Sequence, residues 1–188
     1  MTYMTDNEKY GMGFKSLGRN VRISTKASIY NCDQIEIGNN SRIDDFCVIS
    51  GKINIGSYVH LTPMCLVAGG EKGIIIGDFV TMAYGVKVFT QSDDYSGQTM
   101  TNSTVPRKYK NEYKDRVVIK KHSIIGAGSI IMPGIILEEG VSVGAMSLVT
   151  KNTDPWSIYV GVPAKKIRNR SKDLLNLEAD FLNSNDSI

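Results

Sequence analysis

Branched apolar side chains recur every sixth residue along most of this chain. Ile119, Ile125, Ile131, Leu137, Val143 and Val149 form an unbroken ladder. Ile37, Ile43, Ile49, Ile55, Leu61 and Val67 form an earlier one, which resumes at Ile76, Met82 and Val88. This spacing is too long for one helix face and does not fit a flat sheet, where one face recurs every second residue. It fits a coil of short parallel strands with six residues to a side and three sides to a turn of eighteen. Each turn of such a coil buries its apolar edge only against neighbouring turns. The residue four after a rung is also small or apolar, as at Ala27, Ser41, Cys47, Ile53, Val59, Cys65, Val86, Ser129, Ile135 and Ser147. Two inward positions per side fill a narrow triangular prism and leave the rest polar. The predicted fold class is an all-β solenoid.

The repeats begin near Val21–Ile23 and break twice. One insertion, Ala68 to Gly73, is short and Gly-rich; the other, Gln91 to about Arg116, is long, polar and rich in Tyr, Asn, Lys and Ser. Long excursions from a regular scaffold usually carry function, and Tyr95, Tyr109 and Tyr113 predict an ordered arm. The ladder ends at Asp154-Pro155-Trp156. Beyond it, Ser171 with Leu174, Leu175, Leu177, Phe181 and Leu182 reads as an N-capped amphipathic helix covering the open end of the coil. The expected organisation is a cap segment over 1–20, a coil domain over 21–170 carrying the loop 91–116, and a helix and tail over 171–188.

Composition narrows the function classes. A formal net charge of +3 does not call for a polyanionic partner, and no nucleic-acid-binding module is visible. The first residues lack a basic start and an apolar stretch, and the most apolar run, Ser123 to Leu137, is interrupted by Gly, Ser and Pro. No membrane span is expected, and the location read from this is cytoplasmic. Cys47 and Cys65 lie eighteen apart, on successive turns, as small core side chains. With Cys32 the count is odd, and no Cys/His cluster has metal-ligand spacing, so neither a disulfide nor a metal is expected.

Three segments carry a resemblance. Ile124-Ile125-Gly126-Ala127-Gly128-Ser129-Ile130-Ile131-Met132-Pro133-Gly134, Val143-Gly144-Ala145-Met146-Ser147-Leu148-Val149-Thr150-Lys151 and Tyr159-Val160-Gly161-Val162-Pro163-Ala164-Lys165-Lys166-Ile167-Arg168 are similar to the hexapeptide-repeat acyltransferases, in particular the galactoside and maltose O-acetyltransferases. The resemblance covers about 21 to 170 in pattern and is specific from 117 to 170. It implies a left-handed parallel β-helix, a homotrimer with active sites between subunits, acetyl-coenzyme A as donor and a sugar as acceptor. It also implies that Ala127 and Ala145 border the pantetheine arm, that Thr150 and Lys151 lie near the nucleotide end, and that Lys165 and Arg168 face the phosphates. Lys166 and Arg170 add to the basic character of that exit.

Acetyl transfer to a hydroxyl needs a group to take the alcohol proton, and histidine is the usual choice. The chain has two. The family's loop histidine is missing: the stretch reads Val88-Phe89-Thr90-Gln91-Ser92-Asp93-Asp94-Tyr95, with Asp94 near the expected place. His60 lies immediately before Leu61, points outward and sits under the turn that launches the arm. The expected base is His60, with Asp93 or Asp94 orienting it or binding the sugar, and with Asp93 and Tyr95 as acceptor contacts. His122, on the strand returning from the arm, is the second candidate. The expected activity is acetyl transfer from acetyl-coenzyme A to a sugar hydroxyl. An amino-sugar acceptor, free or nucleotide-linked, is the alternative, because an amine is a stronger nucleophile and needs less base. A coenzyme A-binding solenoid without turnover is the alternative of another class. A zinc hydratase on the same coil would need three His ligands, which two histidines do not supply.

Overall fold

The computed structural model describes residues 2–184; the end of the expected tail, 185–188, lies outside the described residues. The chain winds into a left-handed parallel β-helix of about seven turns. The first face stacks Arg22–Ile23, Arg42–Ile43, His60–Leu61, Thr81–Met82, Ile124–Ile125, Ser142–Val143 and Ser157–Val160, each parallel to the next. The second runs from Ser28–Tyr30 through the starts of Val48–Ile55 and Leu66–Ile76 to Lys87–Phe89, Ile130–Ile131 and Leu148–Val149. The third runs from Ser16–Leu17 through Ile35–Ile37 and the ends of the same two long strands to Val117–Ile119 and Ile136–Leu137.

The predicted rungs are the core. Every ladder residue from Ile37 to Val149 is at most 2% exposed, and burying each such side chain contributes about 1.5–3 kcal/mol against the entropy of ordering the chain. The second inward set is buried too, apart from the half-buried Ala27, and its serines have a specific use. Ser41 Oγ donates to Gly56 O at 2.8 Å and Ser129 Oγ to Gly144 O at 2.9 Å, so the hydroxyls cross-link successive turns at their corners.

Corners follow one construction. The residue that leaves the third face is repeatedly Gly, because the turns stack too tightly for a side chain: a Cβ at Gly38 would lie 2.6 Å from the backbone of Gly56. Two residues on, the backbone takes the left-handed conformation, and there the chain uses Asn20, Asn40, Tyr58, Phe79, His122 and Trp156, with φ between 51° and 61°. Left-handed φ at aromatic residues is uncommon, so these rings stand in a file along one corner.

Helix α1 (Asp6–Gly11) starts with a capping box between Thr5 and Glu8, and Lys9 Nζ donates to Val21 O at 2.7 Å, seating the first segment on the first turn. The arm leaves after Lys87–Phe89 and closes on itself where Gln91–Ser92 pairs antiparallel with Tyr113–Lys114. Its base meets the shorter insertion: Arg107 Nη2 lies 3.1 Å from Glu71 Oε1, and Glu112 binds both Lys110 at 2.9 Å and Lys114 at 3.1 Å. The two interruptions of the repeat therefore fold against each other.

Helix α2 (Leu174–Asn183) departs from expectation in two ways. Its first turn follows Asp173, without a side-chain cap; Ser171 Oγ instead accepts from Asp173 N at 3.1 Å. It also does not close the end of the coil. It lies along the corner where the rings stand, with Phe181 edge-on to Tyr58 at 5.3 Å and to Phe79 at 6.2 Å.

Candidate active site

The parallel register of the first face puts His60 directly beside Arg42, one turn earlier. Both point outward, because Leu61 and Ile43 are the buried rungs. Asp44 follows Ile43 and is buried, at 2% exposure. Its Oδ2 lies 2.9 Å from His60 Nε2 and 3.1 Å from Arg42 Nη2, and its Oδ1 lies 2.6 Å from Arg42 Nε. The hydrogen bond from Arg42 to this carboxylate holds the guanidinium above its ordinary range. Tyr3 adds a ring 5.7 Å from the same guanidinium. A buried carboxylate that grips one imidazole nitrogen fixes the ring's orientation and its tautomer. The His60 side chain stays 36% exposed, and Nδ1 makes no hydrogen bond among the described residues.

Within the protomer the carboxylate that contacts His60 is Asp44, a partner the sequence pattern did not single out. Within one protomer the structure does not bring His60 and the arm acids together: His60 stands on the first face, whereas Asp93, Asp94 and Tyr95 line a separate cleft with Asn111, Tyr113 and Lys114. Asp94 is occupied there. Its Oδ1 accepts from Ser96 N at 2.8 Å, and its Oδ2 accepts from Thr99 Oγ1 at 2.8 Å and from Thr99 N at 3.1 Å. The Ser96 hydrogen bonds, followed by those from Thr99, bring its pKa down to about 2. Tyr95 is 92% exposed and Asp93 is exposed, both free to meet another molecule.

His122 has a different employment. It is 7% exposed, stacks 5.3 Å from Phe79, and its Nε2 lies 2.9 Å from Glu178 Oε2 of α2. Lys121 Nζ lies 2.6 Å from Glu178 Oε1. Burial pushes the Glu178 carboxyl up, but the hydrogen bonds from Lys121 and His122 together outweigh it and leave it below its ordinary range. Arg170 Nη1 completes the clasp, donating to His122 O at 2.8 Å and Gly140 O at 3.0 Å. His122 thus anchors α2 to the coil.

Of the positions singled out for the coenzyme, Ala127 and Ala145 occupy equivalent places on successive turns, where the first face turns into the second; Met146 N donates to Ala127 O at 2.8 Å. Ala145 is exposed. Lys165 and Arg168 lie on the strand Lys165–Asn169, which pairs antiparallel with Ser157–Val160 and is exposed throughout. Lys166 is already bound to Asp154 at 3.1 Å. Thr150 and Lys151 are exposed just beyond Leu148–Val149, where the second face ends. These positions put small side chains at the corner and exposed positive charge at the exit of the repeat. Among the described residues no three His, Cys, Asp or Glu side chains come together in a way that could hold a metal ion. No helix among them is long and apolar enough to cross a membrane.

A parallel coil of this period, interrupted by a folded arm, is the architecture of the hexapeptide-repeat acyltransferases. The chain belongs to that family and is an acyl-coenzyme A-dependent acyltransferase. No family model matches the sequence. It is 45% identical over 184 residues to the dTDP-4-amino-4,6-dideoxy-D-glucose acyltransferase of Escherichia coli, covering 96% of this chain and 95% of that one. The crystal structure of a variant of AntD, an N-acyltransferase from Bacillus cereus in complex with dTDP-4-amino-4,6-dideoxyglucose and coenzyme A, superposes with a TM-score of 0.95 at 49% identity, over 96% of this chain and 97% of that one. The serine acetyltransferase of Buchnera aphidicola is 33% identical over 138 residues, covering 69% of this chain and 49% of its own length.

Proposed function

We propose that this protein transfers the acyl group of an acyl-coenzyme A to the amino group of a nucleotide-linked 4-amino-4,6-dideoxy sugar. The observation that carries this reading is similarity along almost the whole chain, arm included, to two enzymes of that chemistry. It favours the amino-sugar acceptor over the sugar hydroxyl that the galactoside resemblance implies. In this reading the acceptor nitrogen attacks the thioester carbonyl, a C–N bond forms and the C–S bond breaks. His60 Nδ1 takes the proton the nitrogen sheds, and the departing thiolate is protonated in turn. Asp44, held by Arg42, positions the imidazole and stabilises the cation that forms. Ala127, Ala145, Thr150, Lys151, Lys165 and Arg168 receive the coenzyme.

The separation of His60 from the arm supports a homotrimer in which the arm of one subunit reaches the first face of the next, bringing Asp93 and Tyr95 to the acceptor. The three free thiols, Cys32, Cys47 and Cys65, suit a cytoplasmic location.

The test is thiol release from acetyl-coenzyme A with dTDP-4-amino-4,6-dideoxyglucose and, separately, with a galactoside and with the unlinked amino sugar. Turnover on the nucleotide-linked amine alone, giving an amide product by mass spectrometry, is expected. Turnover on the galactoside instead would return the protein to O-acetylation.

A further inference from the structure

The file of rings along the corner stops abruptly. Tyr58 and Phe79 lie parallel with centroids 4.9 Å apart, and Phe79 stacks on His122 at 5.3 Å. Below Tyr58 the same left-handed position is taken by Asn40 and then Asn20, whose amides bind each other at 3.1 Å. Phe181 stands edge-on to Tyr58. Where the rings end, a cleft of about 500 Å³ opens, lined by Tyr58, Phe181, Asn40 and Asn20 on one side and by Arg22, Arg42 and His60 of the first face on the other.

No carboxylate among the described residues lines this cleft. Arg42 is bound to Asp44, but Arg22 is exposed and forms no salt bridge among the described residues. The parts share one preference. A flat ring set on the end of an aromatic stack continues it. A side-chain amide beside that ring offers both a donor and an acceptor to the edge of a nucleobase. A guanidinium with no partner suits a phosphate, which it can bind through two N–H groups at once.

We infer that this cleft holds the nucleoside diphosphate half of the acceptor. The base extends the ring file at Tyr58, between Asn40 and Phe181, the diphosphate lies on Arg22, and the sugar points toward His60. This rests on the proposed acceptor and adds where and by which side chains its nucleotide is recognised. It also gives α2 a purpose: by seating Phe181 beside Tyr58, the helix builds one wall of the cleft from the far end of the chain.

The experiment is calorimetric titration of the full-length protein with dTDP and, independently, with coenzyme A, for wild type, Arg22→Ala and Tyr58→Asn. Asn is chosen at position 58 because it removes the ring yet tolerates the left-handed backbone there. Melting temperatures are read alongside, and Arg22→Ala, on an exposed side chain, guards against a folding defect in the other variant. Each variant is expected to weaken dTDP by about tenfold or more, with coenzyme A affinity unchanged. Variants that bind dTDP like wild type, or a wild type that does not bind dTDP at millimolar concentration, would overturn the inference. Its failure is separable from that of the proposed reaction. Weakened dTDP binding in an enzyme that does not acylate the nucleotide-linked amine leaves the cleft standing and removes the reaction. Acylation with an unchanged acceptor KM in both variants keeps the reaction and removes the cleft.

Discussion

His60 Nε2 and Asp44 Oδ2 lie 2.9 Å apart although sixteen residues separate them in the chain. The coil makes this contact: His60 pairs with Arg42 in the parallel register of the first face, and Asp44 follows Arg42 by two. The carboxylate is buried and shared between a guanidinium and an imidazole. An exposed pair would contribute little to orientation, because solvent and rotamer freedom would dissolve it. Here the burial of Asp44 leaves the imidazole one seat.

His60→Gln should lower kcat by about 10²-fold or more with little change in the acceptor KM, as expected when a group acting on a proton in transit is lost. Asp44→Asn should lower kcat by about tenfold and move the pH–rate profile, because an amide can still touch the ring but no longer stabilises its charged form. Steady-state kinetics over pH decide the matter. A His60→Gln enzyme with wild-type kcat would shift the base to the arm. A kcat change for Asp44→Asn with an unmoved pH profile would reduce Asp44 to a structural role.

The clasp on α2 should be sensitive to acid. Glu178 is held below its ordinary carboxyl value of 4.5 in the folded protein, so the unfolded chain takes up a proton first as pH falls. Its contribution is therefore complete above that value and is lost as pH drops through the lowered one. Glu178→Gln should cost about 1 kcal/mol near neutrality. It should also flatten the fall in melting temperature as the pH drops through 4.5 and below. Parallel melting curves for wild type and variant across that range would show that Glu178 does not hold the helix.

Much of the fold was legible because each rung of the ladder is a local statement. A branched side chain every sixth residue is buried whatever the rest of the chain does, and Ile119 through Val149 are all at most 1% exposed except Val143 at 2%. The partnership of His60 was legible in principle: stepping back eighteen residues from His60 reaches Arg42, with Asp44 beside it. The arm drew attention instead, since the family keeps its histidine there. The course of α2 was not legible. Its amphipathic pattern announces a helix but not a destination, and the surface that receives it is made of Tyr58, Phe79 and His122, aligned by a left-handed backbone that the two aromatic residues Tyr58 and Phe79 rarely adopt. The role of Asp94 was half visible, because Asp94 two before Ser96 is the usual signal of a side chain capping its own turn.

That capping role makes a separate prediction for the arm. An amide at position 94 offers one acceptor oxygen where the carboxylate uses two, so Asp94→Asn leaves Ser96 N or the Thr99 pair unmatched. Limited proteolysis should cut the variant faster between 91 and 116 while the coil keeps its wild-type melting temperature. In wild type the same protection should be complete above the ordinary carboxyl value of 3.8 and should fall away progressively as the pH drops from there to about 2. An arm whose cleavage rate is unchanged in Asp94→Asn would leave the carboxylate free for chemistry.

The corner beside the proposed coenzyme groove has no room to spare, which yields the sharpest structural test. A Cβ at Gly126 would stand 2.4 Å from Ala145 N and 2.7 Å from Gly144 C, both backbone atoms of the next turn. Backbone cannot rotate out of the way as a side chain can, so Gly126→Ala has to push two turns apart at the corner that carries Ala127 and Ala145. Overpacking of this kind costs about 1–3 kcal/mol, and it acts where small side chains are needed to let the coenzyme approach the backbone. The variant should therefore melt earlier and also bind coenzyme A several-fold more weakly, whereas Arg22→Ala, on the same face but at the other end of the coil, should do neither. If Gly126→Ala lowers the melting temperature and leaves coenzyme A affinity intact, the tight corner serves only the stacking of the coil, and the groove for the donor has to be sought on another face.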